Sequence, residues 1–131
     1  MSNPKLEKAI INLERALQSL NQFVTDPIIT DRDRAGVIQG FEYTYECFWK
    51  TFQKLASEDG LPSQSPRLAI KAGFDLGYIS DEAEGIWLNM MKDRNLTTHT
   101  YNKSLAEQMV TRIQNEYLPA FNESHKKLKA Q

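Results

Sequence analysis

The sequence has few of the residues that mark secreted, metal-binding or membrane proteins. Cys47 is the only cysteine among 131 residues, which excludes an intrachain disulfide and a zinc site built on a CxxC pair. No apolar run is long enough to cross a bilayer, and the first residues lack the apolar stretch of a signal peptide. We therefore expect a soluble protein of the reducing cytoplasm that does not enter a membrane.

Positive and negative side chains are nearly balanced in number. The formal net charge is -1 and the isoelectric point is near 6.1, so the protein has no overall basic field of the kind that drives unspecific nucleic-acid binding. Any contact with RNA must be local. Glycine-rich phosphate loops, GxSxG and Cys-His nucleophile pairs are also missing, and the sequence predicts no cofactor.

The composition is that of an ordinary globular protein. Hydrophobic residues make up 40% and charged residues 25% of the chain, which is enough apolar material for a packed core without a disulfide or a metal. The length suits one domain, and we expect a single domain over residues 1–131.

Apolar residues recur every three or four positions along most of the chain, a spacing typical of amphipathic helices. The first helix is predicted over residues 6–24, after Asn3 as a cap and Pro4 at the first helical position. The second is predicted to include residues 38–55 and to end before Asp59-Gly60-Leu61-Pro62.

The second half of the sequence contains three more helical patterns. Ser65-Pro66 begins a short helix of about three turns, Ser80 caps a fourth helix, and a last helix begins near Ser104, with a kink expected at Pro119. Period-two alternation, the pattern of strands, is absent. The predicted fold is all-α, an antiparallel up-and-down four-helix bundle with one short extra helix.

The segment RNLTTHTY places an arginine, a histidine and a tyrosine near the end of the fourth helix. Arg94 and His99 would lie about 140° apart on a regular helix, but three threonines favour a helix end between Leu96 and Tyr101. Histidine titrates near neutral pH and can take the proton of an RNA 2′-hydroxyl, while arginine binds phosphate. Asn95 could add an amide contact, and metal-free RNA cleavage is one interpretation.

Structural interpretations remain open for the same residues. An arginine or histidine near a helix C-terminus stabilises the helix dipole, and this is the commoner role of such residues. Glu42 and Glu46 lie four apart on the second helix, as metal ligands do in some bundles, but no Glu-x-x-His partner exists. We therefore expect no metal site, and these two carboxylates are expected to be either a charged flank of the helix or ion-pair partners of Arg94.

Several motifs together resemble one known family. FEYTYE from Phe41 to Glu46, Trp49-Lys50, and Arg94-Asn95 with His99 and Tyr101 are similar to the nucleotidyltransferase substrate-binding family of HEPN-type bacterial and archaeal proteins. The resemblance covers nearly the whole chain and includes the order of the helices.

The resemblance implies a helical bundle that forms a homodimer or a larger homo-oligomer, with a minimal nucleotidyltransferase as its partner. In related pairs the helical protein is a toxin ribonuclease, which the partner silences by adenylylating the tyrosine of R-x-x-x-x-H-x-Y. By that resemblance Arg94 and His99 would be the catalytic pair, Tyr101 the adenylyl acceptor, and Asn95, Glu42 and Glu46 supporting polar residues. The resemblance leaves open a non-catalytic subunit that binds substrate for the transferase, and a helical interaction module.

Overall fold

The computed structural model describes residues 3–130, and within this range the chain forms helices and no strand. The α-helices, which are numbered in chain order, are α1 (Pro4–Thr25), α2 (Asp31–Glu58), α3 (Pro66–Asp75), α4 (Glu84–Leu96), α5 (Lys103–Arg112) and α6 (Leu118–Lys129). The all-α prediction is confirmed. The long helices form an up-and-down bundle, and α3 is the short extra helix.

Side chains that satisfy free backbone groups fix where the first two helices begin. The Asn3 side chain accepts hydrogen bonds from the backbone N–H groups of Lys5 and Leu6, at 3.0 and 3.3 Å. At α2, the Thr30 hydroxyl accepts from the Asp33 N–H and the Asp33 carboxylate accepts from the Thr30 N–H, which is a capping box. The capping box begins α2 seven residues before the apolar run of the sequence.

Glycine ends the second and third helices. Gly60 has φ +70° just after α2, and Gly77 has φ +89° just after α3, a backbone conformation that only glycine adopts without strain. Between these turns the Ser65 side chain accepts from the Leu68 N–H and caps α3, as predicted. The conformations of the α2–α3 connection and of the turn before α4 are therefore determined by residues within those segments.

The C-terminal helical segment is continuous, but its backbone hydrogen-bond pattern changes part-way along it. α5 passes into a π-helical turn, Ile113–Tyr117, and then into α6, and the Leu118 N–H donates to the Ile113 carbonyl. Proline has no N–H and its ring crowds the preceding turn. Where the sequence predicts a kink at Pro119, the structure has this wider turn immediately before it.

A cluster of aromatic rings fills the core around α2 and joins buried residues from all six helices. Phe48 lies parallel to Phe121 of α6 at 5.0 Å between ring centres, and Trp87 of α4 meets Phe48 edge-on at 5.4 Å. Burying each of these side chains contributes about 2–3 kcal/mol to stability. This core fixes α4 against α2, which positions the polar residues at the end of α4.

No helix among residues 3–130 is long and apolar enough to span a bilayer.

Candidate functional site

The RNLTTHTY segment lies where the sequence places it, across the end of α4. α4 ends at Leu96, a 3₁₀ turn follows over Thr97–His99, and Asn102 caps α5 by accepting from the Leu105 N–H at 3.1 Å. The predicted helix end between Leu96 and Tyr101 is confirmed. The tight turn brings His99 and Tyr101 to the surface beyond Arg94.

Arg94 reaches across to α2 and contacts two carboxylates. Its Nη1 lies 3.1 Å from Glu42 Oε2 and its Nε lies 3.4 Å from Glu46 Oε1. The side chains of all three residues are about one-third exposed. Of the two interpretations of these glutamates, the structure favours the ion pair with Arg94.

Thr97 completes this cluster, a role that the sequence analysis missed. Its side-chain oxygen accepts from Arg94 Nη1 at 3.0 Å and lies 2.9 Å from Glu42 Oε2 and 2.8 Å from the Arg94 carbonyl, to one of which it donates. The residue is 7% exposed. Its spacing of three positions from Arg94 on a helical turn is a local signal that could have identified it.

The Arg94 guanidinium keeps part of its hydrogen-bonding capacity. Nε and Nη1 are used by Glu46, Glu42 and Thr97, whereas Nη2 has no partner within residues 3–130. An arginine has five N–H donors, so the two on Nη2 are available to an incoming acceptor such as a phosphate oxygen. The carboxylates thus orient the arginine and leave one edge of it open.

The indole of Trp49 supports the cluster from the side of α2. Its Nε1–H donates to Glu46 Oε2 at 2.9 Å, so Glu46 accepts from both Trp49 and Arg94. Burial raises the pKa of the adjacent Tyr45 to about 12, with the Glu46 charge acting in the same direction and Arg94 opposing it. Tyr45 is therefore neutral at physiological pH and carries no charge into the site.

His99, the last residue of the 3₁₀ turn, and Tyr101, which follows it, form a second group. Their rings meet edge to face with 6.2 Å between centres, and Tyr101 is 86% exposed. No hydrogen bond joins His99 to Arg94 in the part of the chain that the structure describes. The structure therefore brings Arg94, Glu42 and Glu46 together and presents His99 and Tyr101 to solvent beside them.

Tyr101 also lines a cleft of about 400 Å³ between the first turn of α2 and α5. Arg34 and Lys103 contribute positive charge to its walls, and Asp31 forms an ion pair with Arg34. Asn95 is exposed, and its side chain makes no hydrogen bond among residues 3–130. Its supporting role stays a prediction.

A buried polar network behind Arg94 is a second feature that the sequence did not indicate. The Asp93 carboxylate accepts from Arg112 at 2.6 and 3.0 Å and from the Tyr117 hydroxyl. The hydrogen bond to Asp93 raises the pKa of Arg112, and burial together with Asp93 raises the pKa of Tyr117. This network joins the residue next to Arg94 to the π-helical turn.

Comparison with known proteins places the chain in a family. Residues 5–130 match the family described as nucleotidyltransferase substrate binding protein like. The protein belongs to this family. The resemblance seen in the sequence motifs is thereby confirmed over most of the chain.

Two known proteins are similar to this chain over most of its length. A protein of Haemophilus influenzae named "Probable ribonuclease HepT" is 26% identical over 117 residues, which cover 82% of this chain and 79% of the relative. The crystal structure of a Thermus thermophilus protein superposes with a TM-score of 0.80 at 34% identity, covering 89% of this chain and 98% of the other. The fold of the bundle is therefore shared with a solved structure.

Proposed function

We propose that this protein is a metal-independent endoribonuclease, the toxin half of a toxin–antitoxin pair whose other half is a minimal nucleotidyltransferase. The observation that carries the proposal is Arg94, held by Glu42 and Glu46 with Nη2 open, at the end of a helix that presents exposed His99 and Tyr101. The family assignment and the relative named as a ribonuclease support it.

The proposed reaction uses the chemistry of RNA itself. His99 takes the proton of a 2′-hydroxyl, the 2′-oxygen attacks the adjacent phosphorus, and the bond from phosphorus to the 5′-oxygen breaks. The leaving oxygen gains a proton, so the products are a 2′,3′-cyclic phosphate and a 5′-hydroxyl end. The two N–H groups of Arg94 Nη2 stabilise the charge that grows on the phosphate oxygens.

A homodimer would bring the two groups of the site into one cleft. Within one chain Arg94 lies in the last turn of α4 and His99 at the end of the 3₁₀ turn that follows, and no hydrogen bond among the described residues joins them. Around a two-fold axis, Arg94 of one protomer and His99 of the other can face the same phosphate. Size-exclusion chromatography with light scattering tests this arrangement.

The decisive experiment compares RNA cleavage by the protein and by its His99→Ala variant in the presence of EDTA. We expect cleavage without added metal, loss of at least about a hundredfold in the variant, and an unchanged circular dichroism spectrum. A 2′-O-methyl strand of the same sequence should resist cleavage. Activity that persists in the variant, or that requires Mg²⁺, would remove the proposal.

Adenylylation of Tyr101 is the proposed control of this activity. The exposed phenol oxygen attacks the α-phosphorus of ATP, bound by the partner transferase, and pyrophosphate leaves. The added AMP places negative charge and the volume of a nucleotide beside His99, where it repels and blocks RNA. Co-expression with a partner nucleotidyltransferase should add one or more AMP units to the intact mass.

The Tyr101→Phe variant is the matched test of the acceptor. We expect no mass gain in this variant, since phenylalanine lacks the phenol oxygen, and ribonuclease activity that the partner no longer silences. Tyr43, which is also exposed, supplies the control, because Tyr43→Phe should still gain mass. A mass gain in Tyr101→Phe would place the modification elsewhere.

A second candidate function is a non-catalytic subunit that holds a substrate for the transferase. The description of the family favours it, and so does the balance of Arg94 by two carboxylates, which leaves the cluster with a net negative charge. A stable complex with the transferase, without RNA cleavage and without a mass gain, would support this function. Absence of a complex in co-purification would rule it out.

A further inference from the structure

The charges at the proposed ribonuclease site do not by themselves attract RNA. Arg94 carries one positive charge, while Glu42 and Glu46 carry two negative charges at 3.1 and 3.4 Å from it. An RNA strand carries one negative charge per nucleotide, and its affinity for proteins comes largely from lysine and arginine contacts. If the proposed function holds, the cations that bind the substrate must therefore lie outside this cluster.

A groove between the first half of α1 and the second half of α2 supplies such cations. It has a volume of about 230 Å³ and is lined by Lys5 and Lys8 on one wall and by Lys50 and Lys54 on the other. Its remaining lining residues are Ala9, Asn12 and Cys47, and none of them is a carboxylate. We refer to it as the lysine groove.

The four lysines of the groove are not held in ion pairs in the part of the chain that the structure describes. Within residues 3–130 none of its four lysines forms an ion pair, in contrast to Lys71 and Lys129, which pair with Asp75 and Glu14. Burial raises the pKa of the Cys47 thiol, so this side chain stays protonated and adds no negative charge. The protein as a whole has a formal net charge of -1, so the four lysines, without ion pairs among the described residues, form a local region of positive charge.

Trp49 connects the lysine groove to the Arg94 cluster. Its indole N–H donates to Glu46, which also contacts Arg94, and the Lys50 ammonium lies 5.9 Å from the centre of its ring. Lys50, Trp49, Glu46 and Arg94 are thus linked by successive contacts between the lysine groove and the Arg94 cluster.

We propose that the lysine groove binds the ribose-phosphate backbone of the RNA strand next to the bond that is cut. The two lysines on each wall are three or four positions apart, roughly 5–6 Å along a helix axis, so each wall presents repeated charge to a repeating polyanion. Trp49 offers a ring on which one base stacks. The proposal rests on the proposed function and adds the surface that holds its substrate.

The test measures RNA binding by a double variant, Lys50→Gln with Lys54→Gln. The probe is a fluorescent RNA strand of about twelve nucleotides, protected from cleavage by 2′-O-methyl groups, followed by anisotropy across a series of KCl concentrations. We expect a Kd roughly tenfold higher than that of the unchanged protein. The slope of log affinity against log salt should fall by about 1.4, because two phosphate contacts are lost.

Controls separate a loss of the groove from a loss of the fold. The double variant Lys126→Gln with Lys127→Gln removes the same charge at the end of α6, outside the groove, and should bind the RNA probe as the unchanged protein does. Lys5→Gln with Lys8→Gln should reproduce the loss from the opposite wall. Equal Kd values and equal salt slopes for both groove variants and the unchanged protein would overturn the proposal.

Kinetics distinguish the failure of this inference from the failure of the proposed function. With the same RNA unprotected, the groove variants should raise KM more than they lower kcat, and the effect should shrink for a dinucleotide too short to reach the lysines. If the protein cuts neither the twelve-nucleotide RNA nor the dinucleotide, but the groove variants still bind the RNA probe more weakly, the proposed ribonuclease function is wrong. The RNA-binding role of the lysine groove is then still supported. A different outcome is that the groove variants bind RNA as the unchanged protein does but no longer bind the nucleotidyltransferase. That result would show that the groove binds an acidic protein surface, and it would overturn the RNA proposal.

Discussion

Thr97 shows how one hydroxyl can set the orientation of a functional side chain. It accepts from Arg94 and lies within hydrogen-bonding distance of Glu42, so it fixes the guanidinium between two helices. The arginine then exposes Nη2 in one direction instead of sampling many rotamers. A long cationic side chain that is held in place loses less entropy when it binds a phosphate.

We predict that Thr97→Val lowers the free energy of unfolding by about 1–2 kcal/mol. Valine keeps the shape of threonine but removes the hydroxyl, so Arg94 Nη1 loses its acceptor, and either Glu42 or the Arg94 carbonyl loses a donor. Chemical denaturation monitored by circular dichroism measures the change. Thr98→Val is the matched control because Thr98 is exposed, and it should stay within about 0.5 kcal/mol of the unchanged protein.

Among the helices, α4 is positioned at its last turn by polar contacts and along its length by the aromatic core. Arg94 ties this turn to α2, and Asp93, the preceding residue, ties it to Arg112 of α5 and Tyr117 of the π-helical turn. Neighbouring residues on a helix point in different directions, so these two contacts hold the turn from two sides. The π-helical turn is thus part of the support of the site.

Breaking the buried Asp93 network should destabilise the protein strongly. Asp93→Ala leaves Arg112 and the buried Tyr117 hydroxyl without their common partner, and we expect a loss of about 2–3 kcal/mol because the Arg112 side chain is 30% exposed and water can solvate part of it. Urea denaturation should show this loss, whereas Glu107→Ala, an exposed carboxylate on α5, should have little effect. A loss below about 1 kcal/mol for Asp93→Ala would contradict the structural role assigned to the network.

Across the bundle, the first and last helices are joined by a polar contact. His125 Nε2 of α6 lies 2.9 Å from Glu14 Oε2 of α1, and Lys129 Nζ lies 3.4 Å from the same oxygen. The hydrogen bond from His125, with a contribution from Lys129, lowers the pKa of the Glu14 carboxyl below its ordinary value. The two helices are therefore held together by a contact that depends on pH.

Acid should weaken this contact, and the direction follows from the lowered pKa. The carboxyl of Glu14 ionises more readily in the folded protein than in the unfolded chain, so it stabilises the fold above its unfolded pKa. That stabilisation is lost as the pH falls through the folded pKa. Melting temperatures measured from pH 7 down to roughly pH 3 should fall less steeply for Glu14→Gln than for the unchanged protein, and equal slopes would contradict the prediction.

The sequence predicted most of the fold because the signals for a helix are local. The Asn3 and Ser65 side chains bind backbone N–H groups two or three positions away, and Gly60 allows a helix to end because it adopts a positive φ. Apolar residues spaced three and four positions apart predict which face of a helix is buried. The structure corrected details where local rules compete. The capping box at Thr30 begins α2 before its apolar run, and a π-helical turn precedes Pro119.

The candidate site was predicted in part. The pairing of Arg94 with Glu42 and Glu46 was one of two interpretations that the sequence left open, because 48 positions separate Arg94 from Glu46 and the sequence does not show which helices meet. The roles of His99, Tyr101 and Asn95 rest on the resemblance and stay predictions. Thr97, the Asp93 network and the continuity from Trp49 to the lysine groove were not predicted from the sequence.

Local patterns in the chain specify the helices, most of their ends, the family and the chemical types of the residues at the end of α4. Which of those residues meet depends on tertiary packing. The periodicity of a helix sets the face on which a side chain lies, but the free energy of packing aromatic rings between helices sets how far one helix slides along another. That shift brings Arg112 to Asp93 and sets two lysines of α1 opposite two of α2.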